Sequence, residues 1–458
     1  MSLKHQDNVQ PSPQSEINST SQSIDKIIEK LPIKKPHIFI VFAAALGFMF
    51  DSLDLNLLSF AMPYIIKEWN IDPVTNGLLT SCGLWGMFFG AIFWGPITDK
   101  FGRKVGFIGT VLGFSILTGL TALTTNVYQF GAMRFLTGMF LGGMIPVDTA
   151  LTSEYISAKY RGRFTSILTL LWPFGTLIAA LIALNFATVY GWRVLFIIGV
   201  IPVLLSFLIR WKVPESPRWL ASKGRGDEAV KVLKYLGASD EDVNNVPRLA
   251  IPDKKVSYSV LFKPQYLKRF TLTVGYYFFG FFGYYGYVLM LPSILFTVFH
   301  MSLVKTFTYT LYVAIFAILG RLTATWSVER FGRKQLFYVG YGFGGVAALL
   351  FGLIKDPSIL IWGACILTFI FEQAQVAKVV YTPELYPSNI RATATAWSSS
   401  VGRISGALSP ILLGYFMKIQ FYYGIYLTMA ICFWITCALV YFLGVETKGK
   451  SLDEIGAS

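Results

Sequence analysis

The sequence DKFGRK at residues 99–104 recurs as ERFGRK at residues 329–334, 230 residues further along the chain. At the same offset, SEYISAKYRG around Glu154 recurs as PELYPSNIRA around Glu384. General hydrophobicity does not explain charged and Gly positions that match at one offset, so the chain contains an internal repeat. An even number of apolar spans separates the copies. The two halves are therefore predicted to share one orientation, related by an axis along the membrane normal.

The composition places this repeat in a membrane. Of the 458 residues, 54% are hydrophobic and only 14% are charged, whereas soluble proteins carry about 25% charged residues. Apolar runs of about 20 residues are long enough to cross a bilayer. They predict an all-α membrane protein of twelve transmembrane helices in two six-helix pseudo-symmetric halves. The expected spans are 37–62, 77–97, 105–123, 129–152, 164–187, 192–212, 270–296, 306–327, 335–353, 358–381, 393–417 and 422–444.

The formal net charge of +14 orients the chain. Basic clusters lie in alternate loops, which predicts that these loops and both termini are cytoplasmic in a cell membrane. A short amphipathic helix is expected at residues 227–236. The predicted organisation is a disordered cytoplasmic tail at 1–36, an N-terminal bundle at 37–212, a cytoplasmic central loop at 213–269, a C-terminal bundle at 270–444 and a cytoplasmic tail at 445–458.

Few residues are suited to metal or redox chemistry. The four cysteines lie inside apolar spans and the chain has only three histidines, so neither a disulfide framework nor a metal site is predicted. No nucleophile–base pair or phosphate loop indicates an enzyme. We expect no cofactor and no nucleic-acid partner. The expected partners of this monomer are the lipid bilayer and a small-molecule solute, with protons as the coupling ion.

Several motifs resemble those of the major facilitator superfamily over nearly the whole chain. GPITDKFGRK is similar to the family's motif between helices 2 and 3, and RFLTGMFLGG at 134–143 is similar to its helix 4 pattern. PESPRWL at 214–220 and ETKGKSLDEI at 446–455 resemble the sugar-porter and related organic-solute branches. The resemblance implies secondary transport by alternating access.

A transporter of this kind needs contacts that form and break at the ends of its helices. The resemblance implies that the repeated acidic and arginine positions are ionic latches of a cytoplasmic gate. Alternatively, the basic residues only determine topology and the acids are their surface partners. The gate residues are Asp99, Arg103, Glu154, Arg161, Glu329, Arg333, Glu384 and Arg391.

Acidic residues inside spans are functional candidates because charge in hydrocarbon is unfavourable. Asp51 and Asp54 are three residues apart, on one helix face, and are expected to face a cavity. Arg134 is the candidate counter-charge, and the resemblance selects Asp54 as the proton-coupling residue. The alternative is a permanent ion pair that locks two helices. Asp148 is either a second proton site or an acid that reaches the cytoplasmic surface.

Helix 7 is rich in aromatic residues that suit a flat organic solute. Glu372 and Lys378 lie on different faces of helix 10 and need partners elsewhere. Arg321 in helix 8 is equally consistent with a contact to a carboxylate inside the bundle and with a structural contact to the nearby acidic loop. The tyrosines are equally consistent with packing against lipid. The candidate substrate contacts are Trp172, Tyr284, Tyr285, Glu372 and Arg403.

The solute class follows from the resemblance by comparison of motifs. Phe279 and Gly280 replace the paired glutamines of sugar porters, and Met144 replaces an aspartate of phosphate symporters. FDSLDL, IPVDTALTSEY and GRISGALSP resemble the aromatic-acid and metabolite symporters, although Ser52 and Asp148 depart from their pattern. We expect a proton-coupled symporter of a small organic acid, aromatic acids included. A neutral metabolite or sugar transporter, an organic cation transporter, an uncoupled facilitator and a non-transporting sensor or scaffold stay open.

Overall fold

The structure is a computed structural model that describes residues 24, 26–243, 258–354 and 356–448. The described residues form helices and connecting segments, and no strand occurs among them. Nine of the described helical segments are long and apolar enough to cross a membrane. We number the membrane helices α1 to α12.

The first half contains six helices that follow the predicted spans. Two of them are composite, since α5 passes through a π-helical turn and α6 is interrupted at residues 199–202. Their bounds are Lys35–Trp69 (α1), Pro73–Phe101 (α2), Arg103–Thr121 (α3), Val127–Tyr155 (α4), Ala158–Leu170, Trp172–Ile182, Ala183–Ala187 and Thr188–Tyr190 (α5), and Arg193–Ile198 and Val203–Lys212 (α6).

The second half repeats this order. Here α9 is the composite helix with a π-helical turn, and α7 begins six residues before the expected start of the C-terminal bundle. The bounds are Pro264–Thr297 (α7), Leu303–Phe331 (α8), Arg333–Phe337, Tyr338–Phe343 and Gly344–Gly352 (α9), Pro357–Glu384 (α10), Ser388–Lys418 (α11) and Tyr422–Leu443 (α12).

Local sequence fixes where several of these helices begin. The Asp72 side chain accepts a hydrogen bond from the backbone N–H of Thr75 at 3.1 Å and so caps α2. Asp356 caps α10 in the same way, through the N–H of Ser358 at 2.8 Å. Pro follows both caps, at a position where a helix needs no backbone donor.

Glycines let α2 and α4 approach each other closely. A Cβ at Gly90 would lie 2.0 Å from the carbonyl oxygen of Met139, and one at Gly142 would lie 2.1 Å from that of Met87. Neither position has room for a side chain, so the two backbones are in direct contact. This contact organises the interior of the first half.

The two halves meet at the end of the bundle where α1 ends and α2 begins, which we call the far end. A Cβ at Gly77 of α2 would lie 2.3 Å from the Pro410 carbonyl oxygen of α11, and Gly414 approaches Pro73 equally closely. Nearby, the Ser59 hydroxyl of α1 donates to the Leu289 carbonyl of α7 at 2.5 Å. The far end is thus closed. The opposite end, where Gly102 and Gly332 separate α2 from α3 and α8 from α9, we call the basic end.

The predicted disorder of the tail through residue 36 is wrong for the described part of that segment. Residues 26–30 are helical, and α1 starts at Lys35. The central segment contains the helix Gly226–Leu236, close to the predicted 227–236. Buried residues of this helix and of the tail segment pack in one apolar cluster. Burial of an apolar stripe orders this part of the tail. Its buried residues are Ile24, Ile27, Ile28 and Leu31.

Candidate functional site

Asp54 lies inside the first half, where three helices contribute to one buried cluster. The Arg134 guanidinium of α4 pairs with both oxygens of the Asp54 carboxylate, one of them at 3.2 Å. The Thr118 hydroxyl of α3 donates to the same carboxylate at 2.6 Å. Asp54 is 2% exposed and Arg134 is fully buried. A carboxylate with this many charge-assisted donors holds α1, α3 and α4 together while it is ionised.

Asp51 does not join the ion pair of Asp54 and Arg134, although both acids were expected to face one cavity. It is completely buried, and the charge of Arg403 on α11 acts on it from the second half. Neither carboxylate oxygen has a hydrogen-bond partner among the residues that the structure describes. The charge of Asp54 also acts on Asp51, so the two acids influence each other although only Asp54 has hydrogen-bond partners.

Asp148 is completely buried on α4. The charge of Asp51 acts on it, so two acids on different helices share one region of the interior. Like charges in a low-dielectric region disfavour simultaneous ionisation. The pair is therefore suited to holding a proton.

A second buried ion pair joins α8 to α10. Arg321 Nε lies 2.5 Å from a Glu372 carboxylate oxygen, and the Tyr284 hydroxyl of α7 donates to the other oxygen at 3.1 Å. Arg321 also donates to the Thr169 carbonyl of α5, which ties the second half to the first. The alternative contact of Arg321 with the acidic loop is thus replaced by a contact within the membrane. Glu372, a candidate substrate contact, already has two partners here.

The remaining aromatic candidates pack differently. Tyr284 stacks on Phe371 with ring centroids 4.4 Å apart. Tyr285 packs edge-on against Phe281 at 4.9 Å and contacts an apolar cluster to which both halves contribute, and the charge of Asp51 acts on it. Trp172 is buried against Phe48. Tyr285 therefore lies between the halves, whereas Trp172 contributes to the core of the first.

At the basic end, Arg103 organises a network within the first half. Its guanidinium lies 2.6 Å from Asp99 and 3.2 Å from Glu154. These contacts tie the end of α2 and the start of α3 to the end of α4. The side chain of Arg161 lies outside the described residues. The set joins elements of one half, so its role as a latch stays a prediction for a different conformational state.

The second half repeats this network around Arg333. Its guanidinium lies 2.8 Å from Glu384 and 3.5 Å from Glu329. Arg391 is not the ion-pair partner of Glu384 here. Its Nε donates to the Tyr386 carbonyl at 3.2 Å, since Arg333 already pairs with that carboxylate.

Glu215 and Glu446 were not identified as site residues, yet each completes one network. Glu215 accepts from the backbone N–H of Arg103 at 2.8 Å, and Glu446 accepts from the N–H of Arg333 at 3.2 Å. Both glutamates face the glycine with positive φ that precedes the helix. Each follows the sixth helix of its half, 231 residues apart, and that near-match to the repeat offset was the available signal.

Removal of the Glu215 cap should destabilise the basic end. Burial raises the pKa of the Glu215 carboxyl, while backbone N–H donors oppose that rise. Glu215→Ala is expected to lower the free energy of unfolding by about 1–2 kcal/mol, as for loss of a helix cap. Glu215→Gln keeps an acceptor and removes the buried charge, so its effect should be smaller. Thermal unfolding in detergent measures both, and equal effects of the two variants would contradict the capping role.

Comparison with known proteins identifies the type of protein with this geometry. The profile of the family "Sugar (and other) transporter" matches residues 40–458. The niacin transporter NiaP of Acinetobacter baylyi is 36% identical over 94% of this chain and 98% of its own. A gentisate transporter of Corynebacterium glutamicum is 30% identical over 80% of this chain and 78% of its own.

The fold also has a close match among solved structures. The inward open form of the xylose transporter XylE from E. coli aligns with a TM-score of 0.74 at 19% identity, over 92% of this chain and 99% of the other. This likeness confirms the predicted all-α fold of two six-helix halves. The matches to aromatic-acid transporters and to a sugar porter fold bear out the resemblance to both branches.

Proposed function

The chain belongs to the Sugar (and other) transporter family of the major facilitator superfamily, and from this premise we propose that it is a proton-coupled symporter of a small aromatic acid. Its activity is transport across a membrane, not catalysis. The observation that carries the coupling proposal is the buried pair of Asp54 and Arg134. The names of the niacin and gentisate transporters support an aromatic acid as the solute.

Protonation of Asp54 provides the coupling step. The ionised carboxylate accepts hydrogen bonds from Arg134 and Thr118. A proton that binds Asp54 removes its negative charge, so the attraction that holds α1 to α4 weakens. The helices of the first half then become free to shift as the solute binds, and release of the proton on the other side restores the pair.

The direction of opening follows from the ends of the bundle. Basic clusters favour the cytoplasmic side, so the basic end is cytoplasmic in this proposal. The far end, where Gly77 and Gly414 close the two halves together, is then extracellular. With this orientation, the conformation is closed to the outside. Reorientation requires these glycine contacts to separate.

The partners of Glu372 argue against the binding of an organic cation at that residue. Glu372 is neutralised by Arg321 and also accepts from Tyr284, so a cation would have to displace an arginine. Arg403, in contrast, lies buried on α11 and acts electrostatically on Tyr277 and Tyr285. Arginine beside aromatic rings suits a flat carboxylate.

Uptake into proteoliposomes tests the proposal. An inward proton gradient is expected to drive saturable accumulation of nicotinate or gentisate, and a protonophore should abolish it. Protein-free liposomes correct for passive entry of the neutral acid. Uptake that follows only the solute gradient would indicate an uncoupled facilitator. Uptake of xylose without any aromatic acid would contradict the substrate class.

A further inference from the structure

Lys378 is a buried cation to which the proposed transport cycle assigns no role. It lies on α10 and is 1% exposed. Its ammonium nitrogen is 3.6 Å from the ring centroid of Phe281 and 4.7 Å from that of Tyr277. Among the described residues it has no hydrogen-bond partner. The two rings hold the ammonium in place by cation–π attraction but leave its charge uncompensated.

The other buried cations of the spans face acidic residues. Arg134 pairs with Asp54, and Arg321 pairs with Glu372. Arg403 acts on Asp51 across the halves. The charges of Arg321 and Glu372 both act on Lys378, and the Glu372 carboxylate is already bound by Arg321. An uncompensated buried charge is strongly unfavourable, so this position is suited to reversible binding of an anionic ligand.

The rings around Lys378 lie on α7, a helix that packs against α1 of the other half. Phe281 and Tyr285 are one helical turn apart, and the charge of Asp51 in the first half acts on Tyr285. A Cβ at Gly402 of α11 would lie 2.7 Å from the Phe281 ring. The adjacent Arg403 acts on Tyr277. Two cations, Lys378 and Arg403, therefore act on the same ring, that of Tyr277.

We propose that Lys378 binds the carboxylate of the transported aromatic acid, while Tyr277 and Phe281 contact its ring. This inference rests on the proposed function, which it deepens. A contact with the carboxylate of the solute neutralises the ammonium charge of Lys378, which the two rings do not neutralise. The rings present flat apolar faces to an aromatic solute. Lys378 then selects an acid over the corresponding neutral amide, because only the acid supplies a negative charge.

Matched ligands isolate this contribution. Nicotinate and nicotinamide, or benzoate and benzamide, share a ring and differ in the charge of one substituent. Binding to the purified full chain is measured by calorimetry for the wild type, Lys378→Met and Lys378→Arg. Lys305→Met removes a lysine charge at an exposed position of α8 and is the control.

Lys378→Met is expected to weaken binding of the acids about 10- to 100-fold, the range of a hydrogen bond to a charged group. Binding of the amides should change less than about twofold. Lys378→Arg should keep most of the preference for acids, and Lys305→Met should keep all of it. If Lys378→Met still prefers the acids over the amides, the inference is overturned but the proposed function is not.

The thermal midpoint of the ligand-free protein provides a second, independent readout. If Lys378 serves only to bind the solute, Lys378→Met removes an uncompensated charge from the ligand-free protein. The thermal midpoint should then be unchanged or higher. A clear fall would indicate a structural lysine and would overturn the inference even without binding data. A wild type that binds neither acid would instead overturn the proposed function, and this inference with it.

Discussion

Replacement of Asp54 by Asn is expected to abolish proton-driven accumulation and to leave exchange of solute across the membrane intact. Each pH unit corresponds to 1.36 kcal/mol, so a symporter that moves one proton with each solute molecule builds a gradient of about tenfold per unit. Without an ionisable group at Asp54, this ratio should fall to about one. Exchange survives because it needs reorientation of the loaded carrier only. Proteoliposome uptake and counterflow measure the two activities separately.

Stability must be separated from coupling in this experiment. Asp54→Asn leaves the buried Arg134 without its charged partner, and removal of one partner of a buried pair costs about 3–5 kcal/mol. The double variant Asp54→Asn/Arg134→Gln should recover stability without recovering coupling. Glu68→Gln removes an acid from the half-exposed end of the same helix and is the control. Accumulation that persists in Asp54→Asn would refute the proton switch.

A bulky residue at Gly77 is expected to force the far end open and to stop net transport. Its Cβ would lie 2.3 Å from the Pro410 carbonyl oxygen, where only backbone can move to make room. Overpacking of this kind costs about 1–3 kcal/mol or more, which shifts a two-state equilibrium about tenfold or more. Gly77→Leu should therefore favour the state that is open at the far end.

Accessibility of a reporter cysteine measures this shift. Ser59 is buried at the far end, so Ser59→Cys in a background without the four native cysteines should react with an impermeant thiol reagent only when the end opens. Gly95→Leu is the matched control, because no atom lies within 4 Å of a Cβ at that position of the same helix. Equal labelling with Leu at either glycine would contradict the closed contact.

The apolar runs predicted the twelve spans, and the repeat predicted their division into two halves, because both features can be recognised in the linear sequence. The cost of buried charge predicted that Arg134 pairs with one of the two acids of α1, and the family resemblance selected Asp54. The structure places these two residues in contact. The partner of Glu372 was not predicted, because Arg321 lies on a different helix and sequence spacing carries no information on how helices face each other.

Two other features had weak signals in the sequence. The buried apolar residues of the tail follow a helical spacing, at Ile24, Ile27, Ile28 and Leu31. The polar composition of the residues around them led to the prediction of disorder instead. Thr118 is one of several threonines in α3, and only packing distinguishes the one that reaches Asp54. Residues become site residues here through the approach of separate helices, a property that a linear pattern does not contain.

The positions of Glu215 and Glu446 make each half self-sufficient at its basic end. Each glutamate seals the third helix of its own half and is encoded just after that half's sixth helix. Each set of six helices, together with the glutamate that follows it, therefore contains the acceptor for the start of its own third helix. Neither half borrows this acceptor from the other, so movement of one half against the other leaves both helix starts capped.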